Sequence, residues 1–330
     1  MTAHEIRTER IDVDGVGLQV TVAGPDDAPL VVLVHGFPEL AYSWRHQITG
    51  LAAAGYRVVA PDMRGYGASD RPEAIEAYDI FQLVGDVVGL IRHYGAPATV
   101  VGHDWGAMVA WATAQFRPDL LRGVVGVSVP YGPSLEVSLL DLIRMSVGPD
   151  GFHYILYFQE PGVAEAELDA DPIGTMRRVL WMASAEGMEL IEADPSAAPT
   201  SSFLGERPAP SGLPTWLSDG DFEAYGRAFT STGFTGGLNW YRNLQRNWEL
   251  SRPWRHTPIT VPAAFIGGRQ DPVISRTGDL DGNHPMLDLQ AQYCPDLTVT
   301  LIEGAGHWTQ QEKPDETNAA LVEFLDRIHS

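Results

Sequence analysis

The pattern that most restricts this chain lies at residues 98–116, where the apolar run ATVV meets Gly102-His103-Asp104-Trp105-Gly106 and then AMVAWATAQF. A strand, a tight turn and a helix in direct succession form the strained elbow that lifts a central side chain above a parallel sheet. Glycines two residues to either side suit this turn, because helix crowds strand and leaves no room for Cβ atoms. The flanking strand and helix favour the elbow over an ordinary turn in which Asp104 only caps the helix.

An aspartate at the centre of the elbow selects the chemistry. A carboxylate attacking an amide or ester would form a reactive anhydride. It is suited instead to displacing a leaving group from sp3 carbon, giving an ester of the enzyme that water then hydrolyses at the Asp104 carboxyl carbon. Epoxides and alkyl halides are the two natural substrate classes for such a step.

The strand–helix rhythm continues on both sides. Apolar runs at 18–22, 30–34, 57–60, 99–102 and 124–129 alternate with helical patterns at 44–54, 79–94 and 107–116. Within 79–94, Ile80, Leu83, Val84, Val87, Val88 and Ile91 fall on one helical face. From about 131 to 250 strand signal is scarce. Helices are expected at 135–145, 175–186 and 221–228, and the Pro-, Ser- and Ala-rich segment 193–214 reads as an irregular loop. The rhythm resumes with a strand at 263–266, a helix at 285–293, a strand at 297–302 and a helix at 314–328. The expectation is an α/β fold with a mostly parallel sheet and helices on both faces. Residues 1–130 and 251–330 would form the core domain, and 131–250 a helical cap inserted into it.

Composition narrows the function further. The chain has 44% hydrophobic and 20% charged residues, which rules out wholesale disorder. Its net charge of −21 opposes nucleic acid and anionic lipid surfaces. Cys294 is the only cysteine, so neither an intramolecular disulfide nor a cysteine-based zinc cage can form. No HExxH or paired His/carboxylate spacing marks a metal site, and Gly65-Tyr66-Gly67 is too short for a dinucleotide fingerprint. No cofactor is expected. The opening MTAHEIRTERI is too polar for a secretory leader and no stretch approaches eighteen apolar residues, so the expected setting is cytoplasmic, without membrane insertion.

Ester hydrolysis needs a base. His307, in the turn Gly304-Ala305-Gly306-His307 after the last strand, follows the chain order nucleophile, acid, histidine. Asp271, after the strand AAFIGG, is the best candidate to orient it, with Asp279 and Asp281 as alternates. The turn His35-Gly36-Phe37-Pro38 follows the strand 30–34. It is expected to supply the main-chain amide of Phe37, which with that of Trp105 would form an oxyanion hole for Asp104 itself.

The segments HGFPELAYSWR, GHDWGA, YFQEPGVAEAEL, GFTGGLNWYRNLQRNW and GHWTQQEKP together resemble the soluble type of epoxide hydrolase with the α/β-hydrolase fold. GHDWGA is shared with haloalkane dehalogenases; the cap segments are the specific part. The resemblance implies two cap tyrosines that hold and protonate the epoxide oxygen, matched here to Tyr157 in LYFQEPG and Tyr241 in LNWYRN. Tyr154 is expected to be structural. His35, Pro38 and Trp308 are expected to line the substrate pocket, which would take a small apolar epoxide and water. A homo-oligomer is compatible with the sequence, which leaves assembly open.

Two other readings remain at this point, a haloalkane dehalogenase and a non-catalytic ligand-binding protein on the same fold. Against the first, Phe37 occupies a place where a halide-binding Asn often stands, and it cannot donate a hydrogen bond. The helix after the elbow has no arginine before Arg117, which speaks against a carboxylate-bearing halide substrate. The set of Asp104, Asp271 and His307 with both tyrosines speaks against the second.

Overall fold

The apolar run Leu30–Val34 is buried throughout and forms β3, near the middle of an eight-stranded sheet. The computed structural model describes residues 5–193, 201–205, 210 and 212–330. The other strands are β1 (Arg7–Val13), β2 (Val16–Ala23), β4 (Arg57–Pro61), β5 (Ala98–His103), β6 (Leu121–Val127), β7 (Ala263–Gly268) and β8 (Leu297–Ile302). Their spatial order is β1-β2-β4-β3-β5-β6-β7-β8. β2 pairs antiparallel with β1 and β4, and every other pairing is parallel. The sheet is therefore mostly parallel, as expected.

β1 is absent from the sequence expectation. Its residues RTERIDV bury only Ile11 and Val13, since an edge strand needs little apolar character and this one carries charge on its open side.

Helices α1 (Arg45–Ala53), α2 (Ile80–Tyr94) and α3 (Trp105–Phe116) link β3 to β4, β4 to β5 and β5 to β6. α2 begins where Asp79 accepts hydrogen bonds from the amides of Phe81 and Gln82, and it ends at Gly95 with φ +116°. Its apolar stripe, Leu83, Val84, Val87 and Ile91 among others, is buried. Each such side chain contributes roughly 1.5–3 kcal/mol.

Between β6 and β7 the chain makes only helices among the described residues: α4 (Leu139–Val147), α5 (Tyr154–Tyr157), α6 (Val163–Leu168), α7 (Pro172–Met182), α8 (Ala185–Ala193), α9 (Asp219–Thr232), α10 (Thr235–Arg242) and α11 (Leu244–Leu250). α12 (Pro272–Ser275), α13 (Pro285–Tyr293), α14 (Thr309–Glu312) and α15 (Pro314–His329) complete the chain. The helix expected at 175–186 is instead two, α7 and α8, broken at Ala183–Ser184. There the Ser184 hydroxyl donates to the Trp181 carbonyl and accepts from the Gly187 amide, closing one helix and opening the next. Residues 194–200, 206–209 and 211 of the expected loop 193–214 lie outside the described residues.

Candidate active site

The elbow at Asp104 is strained as its sequence requires. Asp104 has φ +53° and ψ −119°, a conformation a non-glycine residue adopts only when its surroundings impose it. A Cβ at Gly102 would collide with the Gly106 carbonyl, and one at Gly106 with the Val34 carbonyl. Gly36 likewise has the Asp104 side chain where its own Cβ would stand. This close approach brings the Phe37 amide onto Asp104 Oδ1 at 2.8 Å. Trp105 opens α3, so its amide is among the N–H groups left without an intrahelical carbonyl.

His307 faces Asp104 from the turn after β8. Its Nε2 lies 3.6 Å from Asp104 Oδ2, and its Nδ1 lies 3.1 and 3.2 Å from the two Asp271 oxygens. Asp271 is buried at the head of α12, where its Oδ1 also accepts from the Val273 amide. Asp281 instead pairs with Arg269, and Asp279 accepts from the Asp281 amide within the following loop.

Burial alone would drive the His307 pKa down, but the Asp271 charge and hydrogen bonds with Asp104 and Asp271 hold it well above 6.5. Burial likewise pushes the Asp104 carboxyl up. The hydrogen bond and charge of His307, the His103 charge and the Phe37 amide outweigh it, and the net direction is down.

The tyrosines require a correction. Tyr241, on α10, is buried with its ring edge-on to Trp105 at 5.0 Å and to Phe37 at 5.3 Å, directly over the oxyanion turn. Tyr157 does not join it. Its hydroxyl sits 3.4 Å from the Val163 carbonyl, and burial together with the charge and bond of Glu167 pushes its phenol up to about 12. The residue beside Tyr241 is Tyr154, at 6.1 Å between ring centroids. Burial first, then the charges of Asp104 and Asp271, raise the Tyr154 phenol; for Tyr241 it is burial and then Asp104. Residues three apart on a helix stand only about 60° apart around its axis, so the single turn of α5 does not itself separate the two tyrosines. Packing does, with Tyr154 against Tyr241 and Phe203 and Tyr157 against Phe152 and the Val163 carbonyl. The motif located the right turn of helix and could not say which side of it faces Asp104.

The expected pocket residues are also redistributed. The His35 ring is buried, with Nδ1 donating to the Gly36 carbonyl at 2.9 Å and Nε2 accepting from the Met63 amide at 3.0 Å. Both nitrogens are thus occupied in holding the turn, and His35 offers substrate nothing. Trp308 spends its indole N–H on the Leu180 carbonyl at 2.8 Å and packs edge-on to His307. Pro38 is buried and follows a cis peptide bond from Phe37.

Several supporting residues were not singled out from sequence. Glu39, inside HGFPELAYSWR, is fully buried; its Oε2 accepts from the Gly36 amide and His103 Nδ1, and its Oε1 from the side chains of Gln310 and Gln311. His103 Nε2 and the Ser128 hydroxyl both donate to the His307 carbonyl at 2.7 Å. The available signal was a carboxylate in an otherwise apolar turn, since a buried charge is retained only with partners. Among the described residues, no group of three or more His, Cys, Asp or Glu is arranged to hold a metal ion, and no helix is long and apolar enough to cross a membrane.

The sheet order, the elbow after β5 and the His307 turn after β8 define the α/β-hydrolase class, and residues 29–161 match the alpha/beta hydrolase fold family. Epoxide hydrolase A of Mycobacterium tuberculosis is 49% identical over 321 residues, covering 96% of this chain and 97% of that protein. Epoxide hydrolase 1 of Siraitia grosvenorii is 37% identical, covering 98% and 100%. The crystal structure of epoxide hydrolase A from Mycobacterium thermoresistibile superposes with a TM-score of 0.89 at 46% identity, over 98% of each chain. The chain belongs to the epoxide hydrolases of the α/β-hydrolase fold.

Proposed function

We propose that this enzyme converts a small apolar epoxide to a vicinal diol through an ester on Asp104. Residues 131–250 would act as a cap that brings the two proton donors over the core. The observation that carries this reading is the pairing of a carboxylate at the elbow with two raised-pKa phenols, Tyr154 and Tyr241, on the helices opposite. A strained ether needs an acid that is still protonated at working pH, and phenols in an apolar cleft meet that need.

The geometry supports a division of labour between the Asp104 oxygens. Oδ1 is held by the Phe37 amide, which leaves Oδ2 to attack carbon as the ring C–O bond breaks. The departing oxygen takes a proton from a tyrosine. Oδ1 is then the ester carbonyl oxygen, already at the amide that must stabilise the oxyanion when water adds. His307 starts as an imidazolium and can return its proton to the tyrosinate, becoming neutral as the Asp104 charge is lost. It then takes a proton from the attacking water, and collapse releases the diol with His307 charged and Asp104 ionised again. The proton count closes without an outside donor.

A single turnover in 18O-water tests the route. The first diol should be unlabelled, with label in the Asp104 peptide; label in the first diol would overturn the covalent route. Offering a bromoalkane in parallel and measuring bromide separates the dehalogenase reading.

A further inference from the structure

We infer that Glu312 is a positioning residue for the hydrolytic half-reaction, its carboxylate joining the His307 turn to the break between α7 and α8 so that the base is held in register. The inference rests on the proposed role of His307.

Glu312 is half-buried at the end of α14 and makes no hydrogen bond to Asp104, Tyr154 or Tyr241. Its Oε2 accepts from the Gly306 amide at 3.0 Å and from the Ala185 amide at 2.9 Å, and its Oε1 accepts from the Trp308 amide at 3.0 Å. One carboxylate therefore grips the residues immediately before and after His307, together with the first residue of α8. The amide of His307 itself donates to the Ala183 carbonyl at 2.8 Å, on the other side of the same break. A Cβ on Gly306 would collide with the Ala185 amide nitrogen, so the two segments are in direct backbone contact. At this break the Ala183 carbonyl is taken up by the His307 amide and the Ala185 amide by Glu312.

Three N–H donors converge on two oxygens, and an ionised carboxylate accepts all three with no hydrogen of its own to place. A glutamine has one oxygen, and its NH2 would face a donor. A protonated carboxyl keeps acceptor capacity on both oxygens but must also place its own hydrogen among these donors. Burial nevertheless pushes the Glu312 carboxyl up to about 7, against the three amides that pull it down. Holding a charge there has a cost in stability.

The test compares Glu312→Gln and Glu312→Asp with the unaltered enzyme, using styrene oxide and rapid-quench intact mass to follow the ester on Asp104. Misplacing a catalytic group by about 1 Å costs on the order of 100-fold. Ester hydrolysis by Glu312→Gln should therefore fall by roughly 10- to 100-fold, while alkylation changes less than about 3-fold, so that the ester accumulates. Glu312→Asp keeps an acceptor-only group one methylene shorter and should recover part of the hydrolysis rate. Equal slowing of both half-reactions, or no slowing of hydrolysis, would overturn the inference. If the Gln variant does not fold, the ratio of the two rates in the Asp variant decides in the same way. Failure of the unaltered enzyme to form any Asp104 ester would instead overturn the proposed mechanism and leave a different result on record.

Discussion

Glu39 and His103 form a hydrogen-bonded pair at 2.6 Å with neither side chain reached by solvent. His103 Nδ1 faces the Glu39 carboxylate and Nε2 faces the His307 carbonyl, and both partners accept. Each ring nitrogen of His103 thus has an oxygen partner, and Glu39 fixes the orientation of the ring. The pair links the oxyanion turn, the elbow and the His307 turn beneath the site.

Removing one partner of this pair should be costly. Glu39→Gln is expected to lower stability by about 3–5 kcal/mol, because it breaks a fully buried pair and turns an NH2 group toward buried donors. Burial raises the Glu39 carboxyl, but the charge and bond of His103 and the Gly36 amide bring it below 4.5 overall. A carboxyl lowered in the folded state contributes stability above its unfolded pKa, near 4.5, and loses it as pH falls through the folded value. Urea unfolding at pH 7 and pH 4 should therefore show a smaller gap between Glu39→Gln and the unaltered protein at the lower pH. A constant gap would contradict the assignment.

Tyr154→Phe and Tyr241→Phe should each slow ring opening, and the double change should approach the roughly 10²- to 10⁴-fold loss typical of a missing general acid. Tyr157→Phe should leave it within about 2-fold, since that side chain offers its hydroxyl to Val163 and Glu167. Stopped-flow measurement of alkylation distinguishes the three, and a large loss in Tyr157→Phe alone would restore that residue to the site.

His307→Gln removes the titratable base while keeping most of the side-chain volume. It should be alkylated more slowly, lacking the proton that His307 returns to the tyrosinate, and should then stall after about one equivalent of epoxide per site with the adduct on Asp104. Asp104→Asn, assayed before deamidation, should form no adduct. Peptide mass mapping reads both outcomes, and sustained turnover by His307→Gln would refute its role as base.

The two half-reactions should titrate differently. In the free enzyme the charges on Asp271 and Asp104 hold the His307 pKa well above 6.5. Ester formation removes the Asp104 charge, so the His307 pKa in the alkyl-enzyme must be lower. Alkylation, which draws on the His307 proton, should decline only as pH rises through the higher value. Hydrolysis, which needs the neutral ring, should decline as pH falls through the lower one. Pre-steady-state rates across pH check the order, and identical apparent pKa values for both steps would contradict it.

The runs 30–34 and 297–302 match β3 and β8 residue for residue, and the interior strands are placed to within a few positions. Buried parallel strands such as β3 must be apolar along their whole length, so composition alone reveals them, whereas β8, an exposed edge strand, shows through its β-branched Thr, Val and Ile residues. The same physics hides β1, whose open edge tolerates RTERIDV. Asp104, His307 and Asp271 were legible because each occupies a turn directly after a strand, where chain order and sheet topology agree. Which tyrosine faces Asp104 was not legible. Tyr154 and Tyr157 share one helical turn and one motif, and only the packing of α5 against Tyr241 and Phe158 selects between them. The roles of His35, Glu39 and Glu312 likewise depend on partners far along the chain. Local sequence determined the strands, the elbow and the order of the site, because those follow from nearest-neighbour sterics and burial. Tertiary structure decided which polar side chains meet, because a hydrogen bond between residues as distant as Glu39 and Gln310 leaves no periodic trace in either segment.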